Sequence, residues 1–307
     1  MARTISYGEA IAEALAQEMA RDESVIVVGG ADAPGLARRF PGRALDTRSC
    51  GAALAGAAIG AATRGQRPVA ELPSTGFDEI FGQAAEFRYT AGGRARLPVV
   101  IRTTYGAAAQ QCLYPVFTHL PGLKVVVPSS PFEAKGLLSQ AIRDDDPVVF
   151  CEHQALHDTV GEVPAEGYTI PFGEANTVRA GGDVTIVAIG RMVATALAAA
   201  DELAASGTEA EVIDPRTTSP LDTGTILTSV GRTGRLVVVD EASPRCNLAT
   251  DISALVAKEA FGSLRAPIEM VTPPHTPVPF SDALADLYVP DAQKVLNAAK
   301  AVVGYRR

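Results

Sequence analysis

"GLKVVVPSSPFEAKGLLSQAIRDDDPVVFCEH", residues 122–153, decides the fold. Runs rich in Val, "GLKVVVPSS" and "DPVVFCEH", are bounded by Gly, Pro and Asp, and the stretch between them, "FEAKGLLSQAIRDD", reads as a helix. The same alternation precedes it. "SVIVVGGAD" (24–32), "RPVAELPS" (67–74) and "LPVVIRTTY" (97–105) have the strand pattern, and "YGEAIAEALAQEMARD" (7–22) has the helical one. Strands alternating with helices predict a parallel sheet covered on both faces, an α/β fold of the doubly wound type.

Beyond it the pattern pauses in "VPAEGYTIPFGEANTVRAGGDV" (163–184), rich in Gly, Pro and Glu. It then resumes with "VTIVAIG", "EAEVIDPRT", "RLVVVDEA" and "IEMVTPP", separated by "MVATALAAADELAASG" and "LATDISALVAKEAFG". The expected organisation is a first domain over 1–165, a linker over 166–182 and a second α/β domain over 183–307.

Composition narrows the function classes. The 307 residues are 47% hydrophobic and 20% charged, enough for large cores. A formal charge of -8 with no basic cluster offers nucleic acid no surface. No apolar run reaches the ~20 residues of a membrane span, and the N-terminal "MARTISYGEAIAEAL" lacks the apolar core of a signal peptide, so a cytoplasmic location is expected. Cys50, Cys112, Cys151 and Cys246 show no CxxC pairing, and the four His residues lack metal-ligand spacing with them.

Local motifs are weak by themselves. "VVGGAD" lacks the GxGxxG of a dinucleotide loop, and Gly190, at the mouth of a helix, serves an anion or only a tight turn. Asp144, Asp145 and Asp146 read as cation ligands or as a solvated turn.

Several phrases together resemble the β subunit of the thiamine-diphosphate-dependent 2-oxoacid dehydrogenase E1 component, of pyruvate or branched-chain type. They are "FRYTAGG", "LPVVIRTTYG", "EVIDPRTTSPLD", "GRLVVVDEA", "TPVPFSDALADLYVPD" and most of the opening stretch. The resemblance implies a transketolase-like pyrimidine-binding domain followed by a transketolase C-terminal domain. It implies an α2β2 heterotetramer with β–β association, in which an α-like subunit holds the diphosphate and Mg²⁺ and this chain clasps the aminopyrimidine ring. A lipoyl or acyl carrier protein is a further expected partner. The chain has no GDG…N diphosphate signature of its own.

The resemblance also says what should stand in "DTRSCGAALAGAAIGAA" (46–62). There the family carries a Glu that shares a proton with the pyrimidine ring; here the matching residue is Gly51. Gly30 stands at the acid of a family GED or GEE, "ELPSTGFDEI" is shortened, and "YGAAAQQCLYP" places Ala109 at or beside a catalytic His. Cys50, Gly51, Ser74, Thr75, Phe77 and Ala109 are thus the positions the resemblance puts at the cofactor. Glu71, Glu79, Gln110 and His119 are the catalytic candidates, with Gln111 and Cys112 nearby. In "AIRDDDP" the resemblance points to a structural potassium held by Ala141, Ile142, Asp144 and Asp146 with Val99.

Two functions stay open. The chain is the β-type subunit of a two-component enzyme that decarboxylates or dehydrogenates a 2-oxoacid, or transfers a ketol unit. The alternative is a non-catalytic scaffold or regulatory subunit that has lost thiamine activation.

Overall fold

The structure is a computed structural model that describes residues 2–29, 35–47, 51–72, 77–106 and 111–306. Its contacts divide the chain into two units, one formed by Met1–Tyr105 with Val116–Phe172, the other by Gly106–Pro115 with Gly173–Arg307.

The first unit begins with β1 (Ala2–Ser6) and α1 (Tyr7–Arg21). There follow β2 (Val25–Gly29), α2 (Leu36–Arg39), β3 (Ala44–Asp46), α3 (Gly51–Thr63) and β4 (Arg67–Glu71). A short α4 (Phe77–Glu79) runs into a π-helical turn (Ile80–Ala84) and α5 (Phe87–Thr90). Then come β5 (Val100–Tyr105), α6 (Tyr114–Thr118), of which 116–118 belong to this unit, β6 (Lys124–Val126), α7 (Pro131–Arg143), β7 (Val148–His153) and β8 (Val160–Pro164). The strands pair in parallel in the order β3-β2-β4-β5-β7-β6. This is the doubly wound sheet expected from the alternation. All of β7 is buried, as a strand covered on both faces must be.

Helices α1 and α7 pack together over one face, burying Ile11, Leu15 and Met19 against Leu137, Leu138 and Ile142. Each starts on a serine cap: Ser6 exchanges hydrogen bonds with Glu9, and Ser130 accepts from Glu133 N before Pro131. Helix α3 packs on β4 and β2 through Leu54, Ala55, Ala58, Ile59 and Ala62.

The second unit holds β9 (Asn176–Arg179), β10 (Val184–Ala188), α8 (Met192–Ala205), β11 (Ala210–Asp214), β12 (Thr217–Ser219), α9 (Thr223–Thr233) and β13 (Leu236–Val239). It ends with α10 (Leu248–Glu259), β14 (Glu269–Val271), α11 (Asp282–Tyr288) and α12 (Ala292–Gly304). Its sheet runs β14-β13-β10-β11-β9, parallel except for the antiparallel edge strand β9. Helices α8 and α12 cover one face.

Two features differ from the sequence expectation. Residues 166–182, read as a linker, are packed: Tyr168, Ile170 and Phe172 join the first core, and Asn176–Arg179 forms an edge strand of the second sheet. Gly106–Pro115, read as a loop of the first domain, belongs to the second unit. Among the described residues no helix is long and apolar enough to cross a membrane.

Candidate functional site

The C-terminal ends of parallel strands are where an open α/β sheet places its ligands. In the first unit that edge carries Gly29, Glu71, Tyr105 and His153, with α3 leading away from it. Gly51 is the first residue of α3 and is buried, and the first turn of the helix contains no acidic side chain. Cys50, Ser74, Thr75, Ala109 and Gln110 lie outside the described residues.

Phe77 and Glu79 are brought beside α3 on α4. The Phe77 ring stacks on Phe117 at 5.6 Å between centroids and tilts against Phe81 at 5.2 Å, making an aromatic wall. Glu79 Oε2 is buried without a hydrogen-bond partner among the described residues. The chain turns π-helical immediately after it, a local widening frequent at functional sites. Gly51, by contrast, contributes no acid. His119 is exposed in the turn after α6.

Glu71 is tied into a charge chain. Arg102, on the neighbouring strand, lies 3.8 Å from Glu71 Oε2 and donates two hydrogen bonds to Glu152, 2.6 Å from Nε to Oε1 and 2.9 Å from Nη2 to Oε2. His157 Nε2 lies 3.6 Å from Glu152 Oε2. Burial pushes the Glu152 carboxyl up, but Arg102 and His157 outweigh it and hold it below the usual carboxylate range. Tyr7, 5.8 Å from His157, is fully buried, and burial together with Glu152 raises its phenol. Gly29 fits closely here: a Cβ at that position would sit 2.8 Å from the Glu71 carbonyl oxygen.

The residues indicated for potassium already have donors. Arg67 Nη1 donates to the carbonyls of Ile142 (3.1 Å) and Asp144 (2.8 Å). Lys124 Nζ lies 2.7 Å from both carboxylate oxygens of Asp144 and 3.3 Å from Asp146 Oδ2. The carbonyls of Ala141 and Val99 accept from the backbone N–H of Asp144 and Val148. Among the described residues no group of His, Cys, Asp or Glu has the arrangement of a metal site.

The second unit encloses a cavity of about 950 Å³. Gln111 and Cys112 line it, together with Arg191, 3.8 Å from Glu241, and His275, whose Nδ1 is 2.9 Å from Ser243 Oγ. Gly190 proves to be a turn residue with φ 56°. The first N–H groups of α8 bond to the carbonyls of Ile189, Gly190 and Arg191 and so have no donors left for an anion.

Sequence reasoning missed Arg102 and Glu152. The available signal was a single Arg or Glu inside each of two strands that begin with an apolar run, since charges buried that way require each other.

Comparison with known proteins extends these observations. Residues 3–158 match the family Transketolase, pyrimidine binding domain, and residues 173–295 match Transketolase, C-terminal domain. The chain is 57% identical to the acetoin:2,6-dichlorophenolindophenol oxidoreductase subunit beta of Cupriavidus necator, covering 98% of each chain. It is 47% identical to the Bacillus subtilis protein of the same name, covering 99% of this chain and 98% of that one. Identity with the pyruvate dehydrogenase E1 component subunit beta of Bacillus subtilis is 41%, over 97% and 98% of the two chains. A solved structure described as a split gene transketolase, inactive beta4 tetramer, superposes with a TM-score of 0.83 at 25% identity over 99% of both chains.

Proposed function

Because the chain belongs to the transketolase-like E1 β-subunit family, which is thiamine-diphosphate-dependent, we propose that it is the β-type subunit of a two-component oxidoreductase acting with an α-like subunit. The observation that carries this reading is the 57% identity, over 98% of both chains, with a subunit whose name specifies acetoin as the electron donor. The substrate class is accordingly a short, uncharged α-hydroxyketone, with pyruvate, the substrate named for a relative 41% identical, as second choice. The assembly is an α2β2 heterotetramer with β–β contact, located in the cytoplasm, and a lipoyl or acyl carrier accepts the product.

In this reading the α-like partner holds the diphosphate and Mg²⁺, and this chain holds the aminopyrimidine. Bound there, thiamine diphosphate supplies a carbon nucleophile for the carbonyl carbon of the substrate. The phenyl wall of Phe77, Phe81 and Phe117 excludes water from the ring. Glu79 holds the proton that the family Glu holds elsewhere, since Gly51 cannot.

Co-expression with the α-like partner tests the proposal. The assembled complex is expected to bind thiamine diphosphate by calorimetry and to reduce dichlorophenolindophenol with acetoin faster than with pyruvate. Glu79→Gln is expected to lower that rate by about two to four orders of magnitude with the complex intact. A properly assembled complex that binds no cofactor would establish the scaffold reading, which the acid-free start of α3 supports.

A further inference from the structure

The segment between β5 and α6 carries one unexpected anchor. Tyr114 is 1% exposed and its hydroxyl donates to Oδ1 of Asp240, 126 residues away and fully buried. The same Oδ1 accepts from Ala242 N at 2.9 Å, while Oδ2 accepts from Ala249 N at 3.3 Å, and Leu248 N also donates to this carboxylate. Asp240 therefore occupies the N-terminal end of α10, where the helix presents unpaired N–H groups. Every neighbour just named is a donor, so the position requires a group that only accepts. An amide would turn an NH₂ toward an N–H or a hydroxyl, leaving buried donors unpaired.

Just ahead of Tyr114, the segment lines the 950 Å³ cavity of the second unit with Gly106, Gln111 and Cys112. Cys112 is half-buried there, close enough to Tyr288 to raise its phenol, after burial itself.

We propose that Tyr114 and Asp240 are positioning residues, whose buried hydrogen bond fixes residues 111–113 beside the second unit's cavity, which Gln111 and Cys112 line. The functional weight of Gln111 and Cys112 rests on the reading above, in which "YGAAAQQCLYP" corresponds to the family's catalytic loop. Neither residue touches the reacting atoms; they set where Gln111 and Cys112 stand.

The test uses the full chain and needs neither cofactor nor partner, so its failure is distinct from failure of the thiamine reading. Alkylation of Cys112 by iodoacetamide, followed by peptide mass spectrometry, reports how often this stretch opens. Exposed Cys246 and buried Cys151 serve as internal references. Tyr114→Phe keeps the ring and removes only the hydroxyl; it is expected to speed Cys112 labelling about tenfold or more, the effect of losing one bond to a charged acceptor, with Cys246 unchanged and Cys151 still protected. Amide exchange at residues 111–113 is expected to accelerate in parallel. Asp240→Asn is expected to act in the same direction, and the double variant to label no faster than the faster single one. Should Asp240→Asn fail to fold, Tyr114→Phe decides alone. A Tyr114→Phe chain with wild-type Cys112 labelling and wild-type exchange at 111–113 would overturn the proposal.

Discussion

Replacing Arg102 by Met should expose how much of the first unit depends on one buried ion pair. Met preserves much of the length and apolar stem but leaves Glu152, 1% exposed, without its guanidinium. Breaking a buried pair by removing one partner costs about 3–5 kcal/mol, because the remaining charge stays buried. The 3.8 Å contact with Glu71, whose side chain is 24% exposed, adds little against solvent screening. At 2–4 °C per kcal/mol, the first unit should melt roughly 6–20 °C lower at pH 7. The pH dependence should reverse as well. In the wild type Glu152 is held below its unfolded range, so its contribution is present above about pH 4.3 and is lost as the pH falls through the folded value. Without Arg102 burial dominates, with His157, 3.6 Å away, as the basic group still paired with the carboxyl among the described residues, beside Tyr7 and Cys151, so the folded value rises above the unfolded one. Stability is then retained in acid and lost as the pH rises, by up to about 1.4 kcal/mol per pH unit. The chain has no Trp, so melting is followed by circular dichroism at pH 5 and pH 7. An Arg102→Met chain that loses the same stability at both pH values, or less than about 1 kcal/mol at pH 7, would falsify the argument, whereas adding Glu152→Leu should restore much of the loss.

Arg67→Ala frees the carbonyls of Ile142 and Asp144; it should cost about 1–3 kcal/mol, read as a lower midpoint in urea denaturation. Gly122→Ala should be the harshest of the small substitutions, about 2–4 kcal/mol by urea denaturation, since φ is +96° and a Cβ would meet the Ala85 carbonyl. Ser130→Ala removes the cap of α7 and should cost about 1 kcal/mol, with Ser130→Asp recovering most of it.

Much of the fold was legible because β4, β5, β7, β10 and β13 are buried strands whose apolar runs are set off by Gly, Pro and Asp. Among the strands that escaped, "ARTIS", "VGEVP" and "NTVR" are short and half polar. The first two pair antiparallel as a separate ribbon and the third is an edge, so neither burial nor alternation marks them. The site was legible in part. Phe77 and Glu79 stand on a short helix, where the sequence reading put Glu79. Tyr114 could not be assigned, because nothing in "YGAAAQQCLYP" says which unit it joins; that is settled by an aspartate 126 residues downstream.

The state of the buried acids bears on what replaces the acid missing at Gly51. Glu152 is committed to Arg102, and Glu18 accepts from Arg21 and Arg143 at 2.6–3.0 Å. Asp240 is filled by Tyr114 and backbone N–H groups. A carboxylate satisfied in this way has no lone pair to spare for a ligand, and recruiting it would expose a donor elsewhere. Glu79 differs in having a buried oxygen with no partner among the described residues, on a short helix that opens into a π turn beside α3. An orphaned acceptor costs about 1–3 kcal/mol when nothing fills it. A ring nitrogen that accepts the Glu79 proton would recover that energy on binding, and the site would then favour a ring with an acceptor nitrogen at its edge. The loss of the acid at Gly51 is on this account compatible with cofactor chemistry, provided the proton is held two residues beyond Phe77 instead of at the start of α3.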